Sequence, residues 1–423
     1  MTDSERDTTL DISALTRQEK RVLAWMCLII AINQLGFGAL LPVLPLYAQS
    51  FGVSASAIGM TIAVYGLARF LIAMPCGQMA DTLGRRPTLA AGGLISAVGN
   101  LWCAFASSYA EFIMARFVSG AGAGIVLTVG IVILTDISTP ARRGRMMAMY
   151  QGCFLFAVGI GPLPGGLLAE NFSLATPFAS YGIAAAAVAI VAWFTIPETR
   201  TMGESARRSQ TSVATPAAPM LERIRALASY PGFALICMLG FVHAVVRTGG
   251  LFNVVPIVAA GQLGLSAAQI GAGFAAGSVL GLVAAYPGGA LADRYGRKAV
   301  IVPSSLLVSA SMASFFLAPS FAWFVFACLV WGVATSISAA APSAYAAESA
   351  PPGMTATAIS SQRMLSDAGY VIGPIGLGLL VDWQNERIAL LAAALMIAIA
   401  GIAFARYAPE SFAGHAIQTR RST

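Results

Sequence analysis

The 423-residue chain is 57% hydrophobic and only 10% charged, with a mean hydropathy of +0.77. Soluble domains carry about 25% charged residues, so this composition excludes an ordinary aqueous surface and points to a membrane protein. The formal charge of +7 does not imply a nucleic-acid partner, because the basic residues sit in short segments between apolar runs and form no aromatic-laced basic face.

Apolar stretches of about twenty residues, each long enough for a hydrocarbon core roughly 30 Å thick, recur along the chain. They predict helices at 22–48, 57–80, 88–107, 110–135, 145–169 and 175–196, then at 231–260, 267–291, 299–318, 321–346, 355–380 and 386–406. The expected fold is an all-α membrane protein of two six-helix bundles, 22–199 and 231–406. A tail (1–21) precedes them, a linker (200–230) joins them and a second tail (407–423) follows. Met1 to Arg21 is polar and charged, unlike a cleavable signal peptide. The linker holds Arg207, Arg208, Arg223 and Arg225, with one amphipathic turn expected at Met220 to Leu227.

Arginine and lysine mark alternate loops. Arg85, Arg86, Arg142, Arg143, Arg145, Arg294, Arg297, Lys298, Arg420 and Arg421 fall on one side, with the linker and the N-terminal tail. The other loops carry none except Arg387. Positive-inside topology then places both termini and the linker in the cytoplasm. Arginine outnumbers lysine by 23 to 2, a bias of GC-rich bacterial genomes, so a multi-pass protein of a bacterial inner membrane is expected. Cys27, Cys76, Cys103, Cys153, Cys237 and Cys328 all lie in apolar runs without a C-x-x-C pair. They read as small hydrophobes, and no metal or cofactor is expected.

An internal repeat organises the chain. Gly77, Asp81, Gly84, Arg85 and Arg86 recur as Gly289, Asp293, Gly296, Arg297 and Lys298 at an offset of 212 residues. The same register carries Asp136 onto Glu348, Gly161-Pro162 onto Gly373-Pro374, and Gly166 onto Gly378. It also carries Gly52-Val53-Ser54 onto Gly264-Leu265-Ser266. Two halves in parallel orientation imply a pseudo-two-fold axis along the membrane normal, a midplane site and alternating access by rocking.

The loops GQMADTLGRRPTL and GGALADRYGRKAV resemble the duplicated signature of the major facilitator superfamily, and the resemblance covers roughly residues 22–406. It implies that Asp81 and Arg85 engage the cytoplasmic ends of helices 4 and 11 in the outward-facing state. Asp136 and Glu348 join that charge network. A topology signal alone is the simpler alternative. Helix 5 carries Gly159, Gly161, Pro162, Gly165 and Gly166 within GIGPLPGG, which looks like the antiporter motif of the twelve-helix drug:proton antiporters. The resemblance implies export; close glycine packing is the alternative. In helix 4 the spacing Arg116, Gly120, Gly122 resembles a family motif whose arginine faces the central cavity and is linked to proton transfer.

A charge at mid-helix costs roughly 2.5–3.5 kcal/mol on insertion scales, so deep ionisable groups are candidate functional residues. Besides Arg116 these are Arg69, His243, Arg247, Arg363 and Asp367. Asp367 is the one carboxylate placed near the bilayer centre, either a proton carrier or a static partner for Arg363 one turn away. His243 is either a second titrating group or a hydrogen-bonded core residue. Asn33, Gln34, Tyr65, Asn253, Tyr345 and Tyr370 are candidate cavity-lining polar groups. Several multidrug antiporters place an acid in helix 1, where this chain has only Asn33 and Gln34. The resulting positive cavity favours an anionic or zwitterionic substrate.

The expected function is therefore a proton-coupled antiporter that exports a small organic molecule. A proton-coupled importer of an organic anion and a non-transporting sensor are the alternatives. An enzyme is not expected: there is no H-E-x-x-H, G-x-S-x-G or Walker loop, and the histidines are His243 and His415 alone. The expected partners are the small substrate, protons and the lipid bilayer. One chain has the parts a monomeric transporter needs.

Overall fold

The computed structural model describes residues 16–138, 140–200, 220–351 and 354–410. Most of the two tails and of the linker, including Arg207, Arg208, His415, Arg420 and Arg421, lies outside the described residues. Among the described residues twelve helices are long and apolar enough to cross a membrane. The first six are α1 (Arg17–Leu40), α2 (Ala55–Leu83), α3 (Arg85–Phe105), α4 (Tyr109–Ile137), α5 (Pro140–Ile160, continued as α5b, Pro162–Asn171) and α6 (Thr176–Thr195). The second six begin with α7 (Pro231–Val245), which runs through a π-helical stretch (Val246–Val254) into Val255–Gly261. They continue as α8 (Ala267–Tyr295), α9 (Lys298–Phe316), α10 (Phe321–Ile337, continued as α10b, Ala341–Glu348), α11 (Thr355–Trp383) and α12 (Glu386–Tyr407). The amphipathic turn expected in the linker is a helix, Met220–Ala228.

Helix starts repeat between the halves. Ser54 and Ser266 accept from the N3 backbone N–H of α2 and α8, and Ser108 and Ser320 do the same for α4 and α10. Each satisfies a donor that a helix N-terminus otherwise leaves unpaired.

Four spans expected to be continuous are interrupted, and a proline sits beside each interruption. Helix 1 stops at Leu40 and resumes as a short helix, Leu44–Gln49, because Pro42 and Pro45 offer no N–H. Pro162 divides α5 from α5b, and Pro342 opens α10b after a break at 338–340. In α7 the widened π turn precedes Pro256, whose ring would otherwise meet the carbonyl four residues back.

Each half has its own apolar core. One cluster joins Met26, Val129, Ile133 and Val188; another joins Val308, Ala327, Ala393 and Ile397. A third cluster crosses between halves, packing Tyr47, Phe112 and Phe178 with Ile257 and Ala267. It marks the far end of the molecule, opposite the Gly84 and Gly296 turns of the near end. Between the halves α2 packs on α11 and α5b packs on α8.

Candidate functional site

At the near end the duplicated loop builds a charged knot in each half. Gly84 turns the chain with φ 104° and Gly296 with φ 97°, backbone that a side chain resists. The Arg85 guanidinium is 2% exposed and lies 2.8 Å from Asp81 and 2.9 Å from Asp136. It also donates to the Ala80 carbonyl, while Thr199 Oγ1 donates to Asp136 at 3.2 Å. In the second half Arg297 pairs with Asp293 at 2.5 Å and with Glu348 at 3.1 Å. Its hydrogen bond to Asp293 holds the Arg297 guanidinium above its ordinary pKa despite partial burial, with the bond to Glu348 in support.

Two further carboxylates belong to this knot, and sequence reasoning missed them. Glu198 accepts from the backbone N–H of Arg85 at 2.9 Å and of Arg86 at 3.2 Å, closing the N-terminus of α3. Arg86 lies 4.8 Å from the Trp193 ring. Glu410 accepts from the Lys298 N–H, while Lys298 Nζ donates to the Ala408 carbonyl at 2.7 Å. The signal was available, since Pro197-Glu198-Thr199 and Pro409-Glu410-Ser411 obey the same 212-residue offset.

Close approaches between the halves begin at the far end and run inward to Gly66 against the Tyr370 ring and Gly159 against Ser278. Towards the near end Phe70, Leu71, Val283 and Tyr286 are exposed, and a Cβ added at Gly77 or Gly289 would meet nothing within 4 Å. The space between the halves therefore opens to the near end. Arg85 reaches helix 4 through Asp136 at 2.9 Å in this conformation.

At the inner end of this space the first half offers the half-buried Arg69, with Arg116 and Tyr65 buried behind it. Arg116 is 2% exposed, donates through Nε to the Thr61 carbonyl at 3.3 Å, and lies 4.3 Å from the Tyr65 ring. Its Nη1 is buried without a partner. Arg69 lies 6.0 Å from the same ring, and Tyr65 stacks on Phe37 at 5.5 Å. The second half offers Arg247 from the π-helical stretch, with Arg363, Asp367 and Tyr370 from α11. The Tyr370 ring packs against Gly66 of the first half, next to Tyr65 and its two arginines. Arg363 and Asp367 are both exposed, and among the described residues no ion pair joins them, so the pairing their spacing allows is not made.

Other expected groups face elsewhere. His243 is within 3.0 Å of Ser305 Oγ on α9, the hydrogen-bonded core alternative. Tyr345 does not line the cavity: it is fully buried, donates to the Pro409 carbonyl at 2.6 Å and packs edge-on against Phe404. Asn33 accepts from the Tyr181 hydroxyl at 2.8 Å, and Gln34 is buried beside it. Asn253 ties α7 to α11 by donating to the Pro374 carbonyl at 3.1 Å.

Helix 5 divides its glycines between two neighbours. A Cβ on Gly161 or Gly165 would fall under 3.0 Å from the Leu35 or Ala39 carbonyl of α1. A Cβ on Gly159 or Gly166 would do the same at Ser278 or at the Ala267 carbonyl of α8, and the Pro162 carbonyl meets Gly271 of α8. Beside this seam lies a cavity of about 100 Å³ lined by Leu41, Val158, Phe252, Phe274, Ser278 and Trp331, among others. It draws on both halves and is mostly apolar, with Ser278 the polar side chain among its lining residues. Leu251 and Phe252, which line it, follow Arg247 on the same π-helical stretch.

Comparison with known proteins agrees with this architecture. The family model described as Major Facilitator Superfamily matches residues 26–252 and 237–422. The chain is 25% identical over 274 residues to Multidrug resistance protein MdtL of Shewanella sp. (strain ANA-3), covering 65% of this chain and 66% of that protein. It is 26% identical over 185 residues to Citrate exporter 1 of Aspergillus niger, covering 44% of this chain and 35% of the relative. In both cases less than two thirds of the relative's own length is spanned. A bacterial homologue of the human lysosomal transporter Spinster, solved in an inward-facing and unoccupied conformation, superposes with a TM-score of 0.71 at 15% identity. That match covers 92% of this chain and 97% of the other. The chain is a multi-pass membrane transporter rather than an enzyme, and it belongs to the Major Facilitator Superfamily.

Proposed function

We propose that this transporter exports a small organic anion with an apolar body, in exchange for protons, by alternating access across a bacterial inner membrane. The observation that carries the reading is the gathering of cations where the halves meet. Arg116 and Arg69 lie 4.3 and 6.0 Å from the Tyr65 ring. Gly66 beside it meets the Tyr370 ring of the other half, and Arg247 stands on the π-helical stretch of that half. Asp367 of α11 is the carboxylate that accompanies them. In a low-dielectric site this excess of positive charge attracts an anionic head group. The neighbouring apolar cavity takes the rest of the molecule, because buried area and a few placed polar groups together define a ligand site. Asp367 is the proton carrier in this reading: it is exposed on α11, one helical turn before Tyr370, and a carboxylate within a membrane span is a functional group by default. The relatives named for multidrug resistance and for citrate export support outward transport and an anionic cargo respectively. The residues of the near-end knots latch the opposite conformation, and a single chain is the working unit.

The test is reconstitution in liposomes under an imposed pH gradient, with proton flux followed by an internal dye. Amphiphilic carboxylates, zwitterions and lipophilic cations are added in turn. Antiport-directed flux triggered by the carboxylates is expected. A response confined to lipophilic cations would overturn the anionic reading, and flux in the symport direction would make the protein an importer.

A further inference from the structure

The far end closes along two seams related by the 212-residue repeat. At one, Gly59 of α2 meets the Pro374 carbonyl and Gly378 of α11 meets the Ala55 carbonyl. At the other, Gly271 of α8 meets the Pro162 carbonyl and Gly166 of α5b meets the Ala267 carbonyl. A carboxylate stands at the outer tip of each. Asp382, near the end of α11, accepts from the backbone N–H of Ala55 at 2.7 Å and of Ser56 at 3.0 Å. Glu170, near the end of α5b, accepts from Ser266 Oγ at 2.7 Å. Glu170 and Asp382 are repeat mates, as are Ser54 and Ser266.

We infer that Asp382 and Glu170 are paired clasps that hold the far face shut and so set how often the transporter opens to that side. Each bond crosses from one half to the other, so neither stabilises a single bundle; each exists only while the far face is closed. The Ala55 and Ser56 N–H groups lie in the first turn of α2, where no helical carbonyl can reach them. A carboxylate there also meets the positive end of the helix dipole. The clasps are unequal, because Asp382 takes two backbone donors and Glu170 one hydroxyl. The α2–α11 seam is therefore the stronger and limits opening. This inference rests on the two halves rocking against each other and not on the identity of the cargo.

The test needs no substrate. Ser278→Cys places a thiol in the cavity beneath the closed face, and the full-length protein is studied in sealed vesicles presenting the far face outward. Labelling by a membrane-impermeant maleimide is measured above the background of the native cysteines. Asp382→Ala is expected to raise the labelling rate about fivefold, the factor one lost helix cap is worth. Glu170→Ala raises it less, and the double variant raises it most. Unchanged labelling in Asp382→Ala, in protein that stays monodisperse, overturns the inference. Ser266→Ala removes the partner of Glu170 while sparing both carboxylates, and wild-type labelling in that variant overturns the second clasp.

Discussion

Arg85 donates to Asp136 across a gap of 51 residues, and Arg297 donates to Glu348 across the same gap of 51. The two bonds differ in their surroundings. The side chains of Arg85 and Asp136 are 2% and 3% exposed, against 16% and 31% for Arg297 and Glu348. Removing Asp136 leaves the buried Arg85 with the half-exposed Asp81 as its remaining carboxylate partner, so the loss approaches, at most, the roughly 3–5 kcal/mol of a broken buried pair. Asp136→Ala is therefore expected to lower the melting temperature in detergent far more than Glu348→Ala, whose pair is partly screened by solvent. Equal shifts would contradict the difference in burial.

Glu198 closes the first turn of α3 over Gly84. Glu198→Ala removes a helix cap worth about 1 kcal/mol and is expected to lower the melting temperature modestly. Gly84→Ala costs more, of order 1–3 kcal/mol, because φ is 104° and the new Cβ would lie 2.5 Å from the Glu198 carboxylate. Thermal melting of the two single variants checks the order.

The glycines of helix 5 separate two effects. Gly165→Val strikes the Ala39 carbonyl within the first half, so loss of folded protein is expected. Gly166→Val strikes the Ala267 carbonyl of the other half. It is expected to leave the bundles folded while preventing closure of the far face, which slows exchange without lowering the amount of protein in the membrane. Expression level against flux distinguishes them.

Arg247→Ala should weaken anion-driven flux at least tenfold through a higher KM, if the head group sits among the three arginines. Asp367→Asn should instead uncouple transport: anion exchange continues, and the proton flux that accompanies it is lost. Measuring both fluxes in the same liposomes gives the answer. Tyr345→Phe is the control, since its hydroxyl bonds the Pro409 carbonyl away from the cavity. A stability loss of about 1 kcal/mol with normal flux is expected there.

The twelve spans and the two-fold repeat were legible because length and hydropathy are local quantities, and because Gly84 and Gly296 occupy turns only glycine tolerates well. The four interruptions were written in Pro42, Pro162, Pro256 and Pro342, yet an apolar run reads the same whether its helix is whole or broken. Direction was the harder matter. Tyr345 and His243 lie in spans as apolar as those of Arg247 and Tyr370, but α10b turns Tyr345 towards Pro409 and α9 supplies Ser305 to His243. Neither neighbour is visible in a linear sequence. Glu198 and Glu410 were missed for a different reason: they stand beyond the ends of their helices, where only the repeat register marks them.

Along its two seams the far face is closed by glycine against carbonyl, at Gly59, Gly166, Gly271 and Gly378. Surfaces of bare backbone part without any side chain leaving its rotamer. Along these seams opening costs chiefly short-range attraction and a few hydrogen bonds, and side-chain rearrangement is left to the cluster of Tyr47, Phe112 and Phe178 with Ile257. Larger residues along the seams would convert a smooth separation into a sticky one, because their side chains would have to change rotamer as the halves part.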